Sequence, residues 1–171
     1  MAAVGVGYGI LSTAPLARQI PFSGARGGEA SAAAARPAPG EIVGRLTVSR
    51  LSLDSPVFEG VEAGTLARGA GHVPGTALPG EEEKSNPSLI AIARGSNGAA
   101  VASLRLGDGV RLMTGHADRR YRVIERRVLE PAQFRLASTP GARITLIAPY
   151  PSDYPGPAPN RIAVALERQP E

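Results

Sequence analysis

The sequence predicts a mainly β fold: a closed or partly closed barrel of about eight short strands with one or two short helices. Three observations point there. Short runs of period-two or wholly apolar character recur along the chain, divided by turn signals such as Gly107-Asp108 and Pro140-Gly141. Glycine (21 residues) and proline (16) are abundant, which favours many turns over long helices. Helical periodicity is confined to two stretches of one to two turns, so a barrel is favoured over a sheet of alternating strands and helices.

At 171 residues the chain holds one domain and a tail. Residues 2–17 (AAVGVGYGILSTAPLA) carry no charge. As a helix they would span about 24 Å, short of the roughly 30 Å hydrocarbon core of a bilayer. Gly5, Gly7, Gly9 and Pro15 interrupt them, and the basic opening of a signal peptide is absent. Residues 1–17 are thus read as an apolar N-terminal segment, with a disordered Ala/Gly-rich leader as the bland reading. Residues 18–40 form a flexible Ala/Gly/Pro linker that includes the run Ala32-Ala33-Ala34-Ala35 and then Pro37 and Pro39. The domain proper spans residues 41–168.

Within it, Ile42, Leu46 and Val48 alternate with Arg45, Thr47 and Ser49, the pattern of a half-buried strand. Residues 51–58 form a second strand, entered through a turn at 53–55. Residues 63–68 make one to two helical turns, ended by Gly69 and Gly71. Residues 89–93 (LIAIA) are wholly apolar, as in a strand buried on both faces. Residues 99–104 form a second short helix. Residues 109–113, 121–129, 144–148 and 162–166 complete the strands. Pro149 fixes φ and lacks a donor, so the strand containing it should end at Ala148 or lie on an edge there.

Composition excludes several functions. Cysteine is absent, which rules out disulfides, a Cys-bound zinc and a thiol nucleophile. Only 4% of residues are aromatic and tryptophan is absent, so Val, Ile, Leu and Ala must build the core. The net charge of +4 comes from arginine, Lys84 being the one lysine. Arg119, Arg120, Arg122, Arg126 and Arg127 cluster, but the even spacing of Arg120, Arg122 and Arg126 matches the solvated face of a strand. Only Tyr121 accompanies them as a stacking residue, so no nucleic-acid partner is expected. Glu81, Glu82 and Glu83 read as a solvated loop insertion rather than a calcium site, which needs six or more oxygen ligands. No metal or cofactor is called for.

The segment 145–161, TLIAPYPSDYPGPAPNR, resembles the active-site strand and following loop of sortases, the bacterial transpeptidases that join proteins to the cell wall or to pilins. In that family the strand reads Thr-Leu-x-Thr-Cys, and an Arg follows across a loop. The block TLARGAGHVPGTALPGE (65–81) is similar to the loop leading to the family's catalytic-His strand, and Leu106-Gly107-Asp108 to the turn before the next strand. The resemblance covers residues 41–166 and looks closest to the class D type. It implies a sortase-type β-barrel.

The family's chemistry uses a Cys to attack a peptide carbonyl, a His to move the proton, and an Arg to stabilise the oxyanion or position the peptide. By this resemblance Pro149 stands at the Cys position. Ile90-Ala91-Ile92-Ala93-Arg94 matches the family's Ile-Ala-Gly-His-Arg, which puts Ala93 at the His position. Arg161 alone remains. Loss of a proton-transfer residue typically costs about 10²–10⁴-fold, and loss of the nucleophile removes the mechanism. His72 lies within a family motif but reads as a loop histidine satisfied by backbone hydrogen bonds. His116 sits in a solvated hairpin turn. Ser152 and Asp153 follow Pro149 closely, yet a serine nucleophile needs an adjacent base and no histidine is near in sequence.

The resemblance therefore implies a catalytically inactive sortase-like protein at the extracytoplasmic face of a bacterial cell membrane. Residues 2–17 would be its truncated membrane tether. Arg161 and the apolar wall around Ile92 and Ile147 would hold a sorting-signal peptide or surface protein, and the protein would act as a peptide-binding or assembly module beside an active sortase paralogue. The alternatives are a ligand-free structural or decaying domain and, ranked last, an enzyme using a nucleophile other than Cys.

Overall fold

A computed structural model describes residues 36–83, 86–130 and 140–170. The expected N-terminal segment, most of the linker and Lys84 lie outside the described residues. Eight strands form the fold: β1 (Ile42–Val48), β2 (Leu53–Glu59), β3 (Ala70–His72), β4 (Ser88–Ala91), β5 (Gly109–Met113), β6 (Asp118–Leu129), β7 (Ala142–Tyr150) and β8 (Asn160–Arg168). They close into a barrel in the order β1-β2-β3-β4-β7-β8-β6-β5, with β5 returning to β1. Two short helices, α1 (Ala63–Leu66) and α2 (Ser96–Ala102), complete it. Closure removes open sheet edges where the strands overlap, which suits a chain of short strands.

The inward rows follow the period of two. Leu46 and Val48 of β1, Ile144, Leu146 and Ala148 of β7, and Ile162, Val164 and Leu166 of β8 fill the interior with Tyr121. Each aliphatic side chain so buried contributes about 1.5–3 kcal/mol. Outside the barrel a second cluster joins Val61, Leu66, Val73, Leu89, Ala91 and Ile147. That outer layer explains why β4 is apolar on both faces: Ile90 belongs to the interior, Leu89 and Ala91 to the covering layer.

Four expectations change. Ile42 is 63% exposed rather than sharing the face of Leu46, because the register shifts between Ile42 and Gly44. The turn before β2 lies at Ser49–Leu51 and ends on Ser52 at φ 51°, ahead of residues 53–55. Strand β3 went unread, since three residues containing one glycine give no alternation. It pairs parallel with β2 and antiparallel with β4, and a Cβ at Gly71 would meet the Gly60 carbonyl at 2.4 Å. Finally, β7 continues through Pro149 to Tyr150.

The proline is tolerated for a geometric reason. Ile92 N donates to the Ile147 carbonyl at 2.8 Å, so Ile147 presents its backbone to the β4 side. Two residues on, Pro149 faces the same side, where β4 has already ended at Ala91. The missing N–H interrupts no ladder, and Pro149 still stands opposite Arg161 in β8.

The turn 105–108 is held by electrostatics as well as backbone. Arg50 donates to both carboxylate oxygens of Asp108, and Arg105 N adds a bond of 2.7 Å. Those bonds, the Arg50 pair first, hold the Asp108 carboxyl below the usual carboxylate range. A depressed folded-state value stabilises the protein above the unfolded value of about 3.9, and the gain is lost as pH falls through the folded value. Asp108→Asn should therefore lower the thermal midpoint at pH 7, with the difference from wild type shrinking below about pH 4. A constant difference across that window would show that the ion pair contributes nothing to acid stability.

Candidate functional site

Strand register brings Pro149, Ala93 and Arg161, the three positions singled out in the sequence, to one place. Pro149 pairs with Arg161 across β7 and β8. Strand β4 runs parallel to β7 with Ala91 opposite Ile147, so two more residues place Ala93 beside Pro149. All three belong to the outward row, since Ile90, Ile92, Leu146, Ala148 and Ile162 occupy the inward one. Ala93 packs against the outer cluster that contains Ile147. Each is partly exposed, so together they line an accessible face at the end of the barrel where β4 and β7 finish. Ile92 lies inside, so of the expected apolar wall only Ile147 faces outward.

Helix α2 follows next to this face and packs Val101 into the interior cluster. A Cβ at Gly98 would approach the Ala93 carbonyl to 2.5 Å, so glycine there allows the helix to pack against the end of β4. From the next residue, the Arg94 guanidinium donates to the Gly156 carbonyl and ties the β4 end to the loop between β7 and β8. Arg161 secures the same loop from below, donating to Ala158 O at 3.1 Å and Asn160 O at 3.0 Å. Burial pushes the Arg161 guanidinium below its ordinary value. It remains a cation at neutral pH, in surroundings where its field is weakly screened. The face therefore offers a fixed positive group, with neither thiol nor imidazole beside it, while Ile147 is buried in the outer cluster.

The comparisons with known proteins bear on the family and the fold. The family model described as Sortase domain covers residues 46–169. The chain belongs to the sortase family. It is 24% identical to Sortase D of Bacillus subtilis (strain 168) over 135 residues, 78% of this chain and 67% of that protein. It superposes on the sortase C structure of Streptococcus pneumoniae with a TM-score of 0.71 at 19% identity, covering 92% of this chain and 86% of that one. For sortase C1 of Streptococcus agalactiae the TM-score is 0.66 at 26% identity, covering 77% and 71%.

Other residues of this sortase-family chain that drew attention in the sequence lie elsewhere. Ser152 is partly buried and Asp153 exposed in the loop after β7. His116 is in the β5–β6 turn at the opposite end of the barrel, 3.7 Å from Glu81 and largely exposed. Glu82 is not simply solvated. One of its oxygens accepts from the Tyr121 hydroxyl and the other from Gly80 N at 2.6 Å. Burial, then that bond to Glu82, push the Tyr121 phenol well above its usual range. Among the described residues no group of three or more His, Cys, Asp or Glu is placed to hold a metal ion, and no helix is long and apolar enough to cross a membrane.

His72 departs most from expectation. It is the last residue of β3, 1% exposed, and sits opposite Glu59 of β2. Its Nδ1 lies 2.6 Å from Glu59 Oε2, and its Nε2 lies 2.8 Å from Ala77 O and 2.9 Å from Thr76 Oγ1. Backbone contacts alone therefore do not satisfy it. The Ala77 carbonyl can only accept, and the Thr76 hydroxyl already donates to Val73 O at 2.8 Å. Nε2 thus carries a proton, and the Nδ1–carboxyl contact holds one more, on the ring or the acid. The pair is neutral as a unit. Glu59 escaped the sequence reading because thirteen residues separate it from His72 and only the β2–β3 pairing joins them.

Glu59→Ala would strand a buried ring nitrogen and should cost about 3 kcal/mol or more in denaturant unfolding. Glu59→Gln keeps a donor for Nδ1, since the amide N–H₂ replaces the acid proton and Nε2–H is unchanged. It should retain most of the stability. Equal losses in the two variants would contradict the one-proton arrangement.

Proposed function

We propose that this is a sortase-fold protein without cysteine transpeptidase activity. It holds an extended peptide of the sorting-signal kind against the Arg161 face, at the extracytoplasmic side of a bacterial cell membrane. The observation that carries the reading is the convergence of Pro149, Ala93 and Arg161 on one partly exposed face, with only the arginine chemically competent. A carbonyl-rich extended peptide suits a half-buried guanidinium. Pinning of the β7–β8 loop by Arg94 and Arg161 means that little ordering remains to be done on binding. An assembly role beside an active paralogue accords with the tether proposed for residues 2–17.

A second reading has an observation of its own. Arg161 already donates to carbonyls of its own loop, as it would in a ligand-free structural domain. Titration with sorting-signal peptides separates the two. Saturable binding that weakens about tenfold or more in Arg161→Ala supports the peptide holder, and no binding supports the structural domain. Neither predicts cleavage or transpeptidation. Turnover abolished by Ser152→Ala would instead establish a different nucleophile.

Restoring both groups probes the groove directly. Ala93→His with Pro149→Cys should form a thioester with a sorting-signal peptide, detected by intact-mass spectrometry. Pro149→Cys alone should react about 10²–10⁴-fold more slowly. A folded double variant that forms no adduct would count against a peptide-accepting groove.

A further inference from the structure

Strand β6 outruns the strand that closes the barrel against it. Its pairing with β5 covers Asp118 to Arg122. The turn ahead of β5 extends this by one residue, since Val123 N donates to Asp108 O at 3.0 Å and Val123 O accepts from Gly107 N at 2.9 Å. From Ile124 to Leu129, β8 is the only strand paired with β6 among the described residues.

The register shows which main-chain groups are left over. The Ile147 carbonyl accepts from Ile92 N, so Ile147 faces β4 and its partner Ala163 faces β6. Ala163 stands opposite Arg127, which is therefore bonded to β8. Arg126 and Val128, on either side of it, present their N–H and C=O groups in the other direction, where no described strand pairs with them. The register shift between Val123 and Glu125 sets this parity. Both residues are exposed, Val128 by 43%.

An unpaired edge is a template for another strand, and this one complements itself. We propose that residues 124–128 dock on the same segment of a second copy of this chain, antiparallel about a two-fold axis through Arg126. Such an axis must pass through a residue whose main chain faces the edge. Through Arg126 it sets Glu125 against Arg127 of the second copy and Arg127 against Glu125, whereas through Val128 it would set Arg127 against Leu129. Glu125 and Arg127 already lie on one face of the strand, paired with each other, so the dimer alternates two carboxylates with two guanidinium groups. The two Arg126 side chains would face one another, and each is anchored on Ala102 O of its own chain at 2.7 Å. At either end Val128 of one copy meets Ile124 of the other, beside Leu106, which precedes the Gly107 bonded to Val123. Leu106 and Val128 are two of the four large hydrophobic residues exposed among those described. Leu129 stands opposite Arg161, so the shared edge adjoins the strand end that carries the candidate site. The interface is small, and the dimer is accordingly weak and concentration-dependent.

The test is sedimentation velocity of the full chain from about 10 to 500 µM, a range suited to a small interface. The average mass should rise from monomer toward dimer. Val128→Pro removes an edge N–H without touching the β8 ladder, and should weaken association at least tenfold. Arg127→Glu sets carboxylate against carboxylate and should do the same. Glu125→Arg combined with Arg127→Glu restores the alternation and should recover most of the wild-type association. A monomer throughout the range would overturn the proposal. So would association unaltered in folded Val128→Pro and Arg127→Glu, which would place the contact elsewhere on the chain. A folded double variant no better than Arg127→Glu alone would overturn the two-fold register.

Discussion

Strand β7 lies between a parallel neighbour, β4, and an antiparallel one, β8, and these two ladders decide where the rest of the molecule lies. They bring together segments that are about fifty and fifteen residues from one another along the chain, a loop-closure cost that only the shared interior repays. Because side chains alternate, the ladders also divide their residues into two sets. Ile144, Leu146 and Ala148 go to the core with Ile90, Ile162 and Val164, while Ile147 and Pro149 go outward with Ala91 and Arg161. A slip of one residue would exchange the two sets, so the apolar interior pins the outer face as well.

That pinning shapes the outer site. Pro149 would be expected to break a strand enclosed on both sides, yet it stands where β4 has ended and no donor is required. The loop beyond it is held at both flanks, by Arg94 through Gly156 and by Arg161 through Ala158 and Asn160. The two arginines act on carbonyl oxygens rather than carboxylates in these contacts. The loop beside Pro149 is thus fixed by main-chain acceptors on both flanks.

The other end of the barrel is managed by buried polar groups. Glu59 with His72 and Tyr121 with Glu82 place hydrogen-bonded pairs where inward-facing rows run out of apolar partners. Such groups are tolerable only when their bonds are met, and these are: the His72 ring finds partners for both nitrogens, and Glu82 accepts at both oxygens.

The sequence by itself determined the class of fold, the family and the absence of cysteine. Those follow from local period, turn residues and motif spacing, and from residue identities at Ala93 and Pro149, which no packing can alter. It also singled out Arg161, which the register sets opposite Pro149. It did not disclose β3, whose three residues are too few for alternation, nor the partner of His72, nor the engagement of Glu82. Only the tertiary structure decided these points. Each depends on which strand lies beside which and in what register, and that is settled by barrel closure between residues far apart in the chain.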